Sequence, residues 1–352
     1  MNGQTFLERG RCHSMNPAKQ AALMVSSKFK ISVALCTYNG AQHLSAQLDS
    51  IATQQRLPDE VVICDDRSDD GTVEISKRFA RHAPCRVHFH FNQKNLGSTK
   101  NFEKAVDLCE GDIIAFCDQD DVWREDKLLR VEAAFSASPQ VGAVFSDADL
   151  VDEHLEFLGY TLWQTINFSR DERKRFVGAR SVEALLKCLP PAHGMTMAFR
   201  ADYKTAILPF PSRFSHDSWT GLVIAVLSEI AFIPAPLIKY RQHRNQQVGL
   251  SSRRSWHERL TRGQAAAAAS HLAEADLFTS ACQRVHDFGA AERDQEKLAL
   301  LQAKAKHMLL RAHIPAKRRW QRWPLVFKEL AGFRYHRYSD GVLSAAKDIV
   351  LQ

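Results

Sequence analysis

The sequence predicts an α/β fold, a mostly parallel sheet sandwiched by helices, followed by a helical C-terminal region. Three observations carry this. Over residues 30–145, short apolar runs alternate with stretches of helical periodicity, the rhythm of βαβ units. The runs are continuously apolar, as strands are when helices cover both faces of a sheet. After about residue 250 the strand signals stop and long helical stretches take over.

The elements follow in order. Residues 30–36 (KISVALC) form the first strand, rich in β-branched and apolar residues and broken by Thr37-Tyr38-Asn39-Gly40. Residues 42–53 place Leu44, Leu48 and Ile51 at helical spacing. Residues 60–64 (EVVIC) are a second strand, ending in the acidic turn that begins Asp65-Asp66. A helix over 73–80, a strand over 87–91 and a turn at Asn95-Leu96-Gly97 come next. A helix over 100–109 leads to a fourth strand over 112–117, followed by Asp118-Gln119-Asp120-Asp121. A helix over 127–136 and a strand over 141–145 close the regular part. Residues 221–233 are the most apolar stretch. They are too short to span a membrane, contain Glu229, and are closed by Pro234 and Pro236, so a buried helix and then a strand are expected.

The 352 residues are 45% hydrophobic and 25% charged, ordinary for a globular chain with a sizeable core. Eight cysteines include no CxxC pair, and Cys36, Cys64 and Cys117 lie in apolar runs. Free core thiols and a reducing, cytoplasmic setting are therefore expected. Residues 1–29 lack the apolar core of a secretory signal and are expected to be a flexible leader. The net charge of +7 is concentrated between residues 304 and 337, where ten Lys/Arg meet one acid, Glu329.

In parallel α/β sheets, ligands bind beyond the C-terminal strand ends. Three successive ends here carry polar clusters: Thr37/Asn39, Asp65/Asp66 and Asp118/Asp120/Asp121. So many carboxylates on one rim would repel a phosphate unless a cation stood between them. Mg²⁺ or Mn²⁺ takes oxygen ligands of this kind, one or two carboxylates plus substrate phosphates. Asp-rich turns also cap helices, and Asp69 and Asp70 are read that way. Asp121 is left open between site and cap.

VALCTYNGAQHLSAQLDSI, VVICDDRSDDGT, NLGSTKNFEKA and GDIIAFCDQDDVWREDKL, in that order, resemble the family 2 inverting glycosyltransferases of the GT-A fold. DQDDVW, followed by HDSW and YRQHRN, is similar to the rhamnosyltransferase-type members that build bacterial surface polysaccharides. The resemblance covers about residues 30–250, which sets a GT-A domain there and a helical region over 251–352. It implies that Thr37, Tyr38 and Asn39 line a nucleotide pocket and that Asp66 meets the base. It places Lys100 and Asn101 at the nucleotide edge. Asp118-Gln119-Asp120 matches the DxD motif, with Asp118 facing the ribose or sugar and Asp120 binding the metal. Cys36 stands where many members have a small or apolar residue and is read as packing. The implied partners are a nucleoside-diphosphate sugar donor and a saccharide or lipid-linked glycan acceptor.

Inverting transfer needs a base for the acceptor hydroxyl and a cation for the leaving diphosphate. Asp217, in His216-Asp217-Ser218-Trp219, stands at a helix start, where an N-cap is the plain alternative. The resemblance makes it the catalytic base, with His216 as the neighbouring alternative. His193 and Gly194 are expected to shape the acceptor pocket, with a structural turn equally plausible for His193. His243 is the candidate to complete the metal site, and Arg241 or Arg244 to meet phosphate oxygens. A solvated basic loop explains these three equally well, and Arg244 replaces the usual glycine.

In the tail, the aromatics are expected to pack internally and the Lys/Arg to face an anionic membrane as a peripheral contact. No nucleic-acid motif accompanies the charge. Two other functions compete. A sugar-nucleotide pyrophosphorylase should open with a Gly-rich loop after the first strand, and here that loop, Thr37-Tyr38-Asn39-Gly40, has only one glycine. A non-catalytic polysaccharide-binding protein would not need Asp66, Asp118, Asp120 and Asp217 together.

Overall fold

The computed structural model describes residues 29–175, 181–187, 193–243, 246, 264–289 and 295–350. The expected leader (apart from residue 29), Arg244 and the expected boundary near residue 250 lie outside the described residues. Strands β1 (Ile31–Thr37), β2 (Glu60–Asp65), β3 (Arg86–Phe91) and β4 (Ile113–Cys117) pair in parallel in the spatial order β3-β2-β1-β4. Helices α1 (Ala41–Ala52), α2 (Thr72–His82) and α3 (Ser98–Leu108) make the crossovers. Every residue of β1, β2 and β4 is buried, which is why these runs carry no alternation. The edge strand β3 is only partly covered. Strand order reverses between β1 and β4, and a crevice at such a switch point is where open α/β sheets bind ligands.

Past β4 the sheet becomes mixed. The short β5 (Val122–Trp123), helix α4 (Lys127–Ala137), β6 (Val141–Val151) and β7 (Phe157–Thr161) come first. Short helices α5 (Leu162–Thr165), α6 (Arg170–Arg175) and α7 (Ser181–Lys187) follow, then β8 (Met197–Arg200), α8 (Lys204–Ile207), α9 (His216–Leu227) and β9 (Glu229–Arg241). The order continues β4-β8-β6-β9-β5. Strand β8 runs against both neighbours, and β6 and β9 return to the direction of β4. The strand expected over 141–145 thus extends to Val151. The helix expected before Ile233 ends at Leu227, and a single strand then runs from Glu229 to Arg241 through Pro234 and Pro236. Its register against β6 slips there, Ile233 facing Ser146 and Pro236 facing Asp147. A bulge is where a strand tolerates proline, because no ladder N–H is needed.

The C-terminal helices are α10 (Gln264–Asp287), α11 (Gln295–His313), α12 (Arg319–Ala331), α13 (Arg334–Tyr338) and α14 (Val342–Val350). Phe278, Val285, Leu301 and Tyr338 belong to the same hydrophobic core as the sheet, so α10, α11 and α13 share that core, whereas Val326 of α12 and Ala345 of α14 form a separate small cluster with Ile314 and Tyr335. Lys297 donates to the carbonyls of Ala225, Val226 and Ser228 at the end of α9. Arg284 donates to those of Ala206, Leu208 and Pro209. The expected arrangement of the basic tail is corrected. Lys304, Arg311 and Arg322 are buried, and they pair with Glu274 and the Tyr338 carbonyl, with Asp348, and with the Lys317 and Pro315 carbonyls. Trp320, Trp323, Phe327 and Phe333, expected to pack inside, are exposed, whereas Tyr335 is buried. Buried cations persist only when paired, and here backbone carbonyls and carboxylates supply the pairing. All the described cysteines are free thiols, and no described helix is long and apolar enough to cross a membrane.

Candidate active site

The parallel register of β1, β2 and β4 sets their C-terminal ends on one rim. The loops there are cross-tied by the residues named from sequence. Thr37 is buried and its hydroxyl donates to Asp65 at 2.7 Å. Asp65 also accepts the Ser68 N–H and hydroxyl. Asn39 stands at φ +46°, a left-handed conformation that asparagine tolerates. Its N–H donates to Ser68 and its side-chain oxygen accepts from the Asp69 N–H. Asp70 accepts the N–H groups of Ala41 and Thr72, so the capping role read for it holds.

Asp66 is buried. It accepts from Asn92 at 3.0 Å, from the Leu96 N–H at 2.7 Å and from the Gly97 N–H at 2.9 Å. It therefore shapes the Asn95–Gly97 turn, where Gly97 has φ +79° and glycine is required. Asn101 is buried beneath that turn, donating to the Cys64 carbonyl and accepting from Asn92. Lys100 pairs at 2.7 Å with Glu103, whose carboxylate also receives the Phe210 N–H. Both were expected at a nucleotide edge. In the structure Asn101 has spent its amide inside the fold, and Lys100 braces the loop that precedes α9.

Sequence reasoning passed over Gln119. Its amide accepts the Tyr38 N–H at 2.8 Å and donates to the Tyr38 carbonyl at 3.0 Å, clasping the β1 and β4 loops across the switch point. This explains Gly40: a Cβ there would stand 2.1 Å from the Gln119 oxygen. The Tyr38 ring is left exposed on the rim.

The acidic cluster lies beside this clasp. Asp120 meets His243 at 2.8 Å, bringing together two residues 123 positions apart. Arg241 donates to the carbonyls of Asp120 and Glu153, and its N–H to Asp121. Its guanidinium is thus tied to the fold, and Arg244, the other residue expected to meet phosphate, lies outside the described residues. The His43 ring lies 4.7 Å from that of His243, and its own sequence signal, a polar residue in the first turn of α1, was too weak to read. Burial, then Asp120 and Asp217, push the Asp118 carboxyl up to about 7 against the pull of Lys127. Burial and the neighbours Asp120 and Asp118 also push Asp121 well up, and its Oδ2 has no partner. Lys127 is fully buried. Its ammonium sits 3.5 Å from the Trp123 ring centroid and donates to the Met195 carbonyl, and burial lowers it to about 7. Among the described residues no group of three or more His/Cys/Asp/Glu side chains is placed to hold a metal ion. Asp120 and His243, in contact, are an oxygen and a nitrogen donor of the kinds that divalent cations take.

Asp217 is the second residue of α9, and the cap position is Ser215. Its carboxylate accepts from the Gly194 N–H at 2.9 Å and from the Ser218 N–H at 2.6 Å. Burial acts to raise its pKa, but His216 and His193 when protonated, together with hydrogen bonds from Ser215 and Ser218, hold it below the usual carboxylate range. His216 is stacked on Phe102 at 3.8 Å and edge-on to Phe116, and burial lowers it to about 4. A neutral ring wedged between phenylalanines is a poor proton shuttle, which favours Asp217 as the base. A Cβ at Gly194 would meet His216 Nε2 at 2.7 Å, so glycine is needed there. His193 and Gly194 stand at Asp217.

Residues 32–179 match the model of glycosyl transferase family 2. An uncharacterized glycosyltransferase of Nostoc sp. is 29% identical over 217 residues, 61% of this chain and 65% of the relative. The dTDP-rhamnosyl transferase RfbG of Shigella flexneri is 37% identical over 98 residues, 27% of this chain and 34% of the relative. The chain therefore spans less than two thirds of the length of either. Among solved structures, S. aureus TarS 1–349 superposes with a TM-score of 0.54 at 18% identity, covering 91% of this chain and 88% of that one. This likeness supports the fold, which is of the GT-A type.

Proposed function

We propose, from the match of residues 32–179 to the model of glycosyl transferase family 2, that the chain is a metal-dependent inverting glycosyltransferase. It moves a sugar from a nucleoside-diphosphate donor to a saccharide or lipid-linked glycan in bacterial surface polysaccharide synthesis. The observation that carries the reading is the contact of Asp120 with His243 beside the switch point, with Asp118 in the electrostatic field of both Asp120 and Asp217. The similarity to a dTDP-rhamnosyl transferase makes dTDP-rhamnose the first donor to test.

In this reading Thr37, Asn39 and Asp66 fix the loops against which the nucleotide lies, and Tyr38 supplies an exposed ring. Asp118 faces the sugar or ribose. Asp120 and His243 would hold Mg²⁺ or Mn²⁺, which would supply positive charge to the leaving diphosphate. Asp217, held by the Gly194 and Ser218 N–H groups, takes the proton of the acceptor hydroxyl as its oxygen bonds to the anomeric carbon. The bond to the diphosphate breaks in the same step, and its electron pair leaves with the nucleotide.

The test is calorimetric titration of a panel of nucleoside-diphosphate sugars with and without Mn²⁺, on the wild type and on Asp120→Ala. One donor should bind in a metal-dependent way. The variant should lose about 100-fold in that affinity, since even outer partners of metal ligands cost 10–100-fold. Equal donor affinity in both proteins would remove Asp120 from the metal role.

A further inference from the structure

We propose that α12 is a membrane-docking element, lying in the plane of an anionic lipid surface with Trp320, Trp323 and Phe327 seated at the headgroup boundary. The helix is built with its faces reversed. Its inner side carries Arg322, Val326 and Glu329, all buried, while three large aromatics point outward. Trp320 is 69%, Trp323 47% and Phe327 56% exposed, at i, i+3 and i+7 of one helix. The last two stack with ring centroids 5.5 Å apart, so they form one patch. Large aromatics gathered on an open face mark an interaction surface, and tryptophan in particular favours the boundary between water and lipid.

Charge selects the occupant. Between residues 314 and 338 there are seven Lys/Arg and one acid, Glu329. That acid pairs with Arg334, Arg337 pairs with Glu183 and Arg322 is buried, so the outer field rests on the remaining cations. Lys317, Arg318 and Lys328 are exposed around the aromatic patch. Apolar rings flanked by uncompensated cations suit a surface of anionic headgroups over acyl chains. Attachment of this kind lies on the bilayer, consistent with the absence of a spanning helix among the described residues. The inference deepens the reading of a lipid-linked acceptor by holding the enzyme where that acceptor is anchored. The docking itself rests on α12 alone.

The test is sedimentation of the full chain with phosphatidylglycerol/phosphatidylcholine vesicles, against phosphatidylcholine vesicles alone and single-stranded RNA. The wild type should co-sediment with the anionic vesicles and dissociate at high salt. Trp320→Ser/Trp323→Ser/Phe327→Ser, which removes only exposed side chains, should keep its melting temperature and lose at least about 100-fold in partitioning. Lys317→Glu/Arg318→Glu/Lys328→Glu should lose a similar amount, since each cation is worth about fivefold. Binding that both variants leave unchanged would overturn the proposal. So would RNA binding without vesicle binding, or light scattering that finds a dimer which the aromatic variant dissolves and no affinity for lipid. The measurement uses neither donor nor acceptor, so its failure would leave the transferase reading intact, and an inactive enzyme that docked would leave docking intact.

Discussion

The two halves of the candidate site treat their polar groups in opposite ways. On the donor side, among the described residues of the β1 and β2 loops and the Asn92–Asn101 stretch, no buried side-chain polar atom lacks a hydrogen bond. Thr37, Asp65, Asp66 and Asn101 are all spent on one another or on backbone. On the acceptor side, Asp121 Oδ2, His193 Nε2, His216 Nε2 and Thr220 Oγ1 are buried and unpartnered. Orphaned buried groups cost about 1–3 kcal/mol each, so a fold that keeps several in one place has left room for something else to satisfy them. The donor loops are finished before a ligand arrives, whereas the acceptor side is finished by its ligands. Substitutions should therefore divide, with acceptor-side changes acting on turnover and donor-side changes on stability.

Asp217→Asn is the largest expected effect. It removes the base and should lower kcat by about 10³-fold, within the 10²–10⁴ that a positioned proton acceptor contributes. One side-chain oxygen still accepts a backbone N–H, so the melting temperature should stay close to wild type and donor affinity should hold. Single-turnover kinetics on the correct donor check this. Turnover near wild type would remove Asp217 as the base, and unfolding would break the division between the halves.

The same division explains what could be read before the structure. Strands β1 to β4 and their rim came from local signals, apolar runs stopped by Thr37-Tyr38-Asn39-Gly40, Asp65-Asp66 and Asp118-Gln119-Asp120. Each signal lies within a few residues of what it predicts. The acceptor side is assembled from distant segments. Asp120 meets His243 across 123 positions, and Lys127 meets the Met195 carbonyl across 68. No periodicity encodes such pairings, and only the family resemblance brought His243 forward. Lys127 read only as the first residue of a helix, because nothing nearby announces a buried lysine under Trp123. A strand after the buried helix was expected, but the length of β9 was not: Pro234 and Pro236 look like a stop unless the bulge opposite β6 is known. In the tail, charge was legible and direction was not. A helix exposing its aromatics and burying an arginine inverts the pattern that periodicity assumes.

Asp66→Asn tests the donor side and should follow the Asp217 effect in size. The carboxylate accepts three N–H groups, and an amide would turn a donor toward at least one of them. A loss of about 2 kcal/mol of stability is expected from one mispaired buried group, measured by denaturant unfolding. Weaker donor binding should accompany it, because the Asn95–Gly97 turn would loosen. A variant as stable as wild type that binds no donor would mean that Asp66 acts on the ligand directly.

Gly40→Ala is the smallest effect and the finest probe. The added Cβ would overlap the end of the Gln119 side chain, which can swing away, so the backbone need not move. What is lost is the clasp, one hydrogen bond to the Tyr38 N–H and one to its carbonyl. Both backbone groups lie near solvent and can bond to water instead, so the cost should be about 1 kcal/mol rather than the full penalty of buried orphans. Gln119→Ala removes the same two bonds without the overlap and should match it. Equal stability losses in the two variants, together with a parallel drop in donor affinity, would identify the clasp as the element that joins a finished donor half to the open acceptor half. A Gly40→Ala loss much larger than that of Gln119→Ala would instead mean that the β1 loop itself is strained by any side chain at that position.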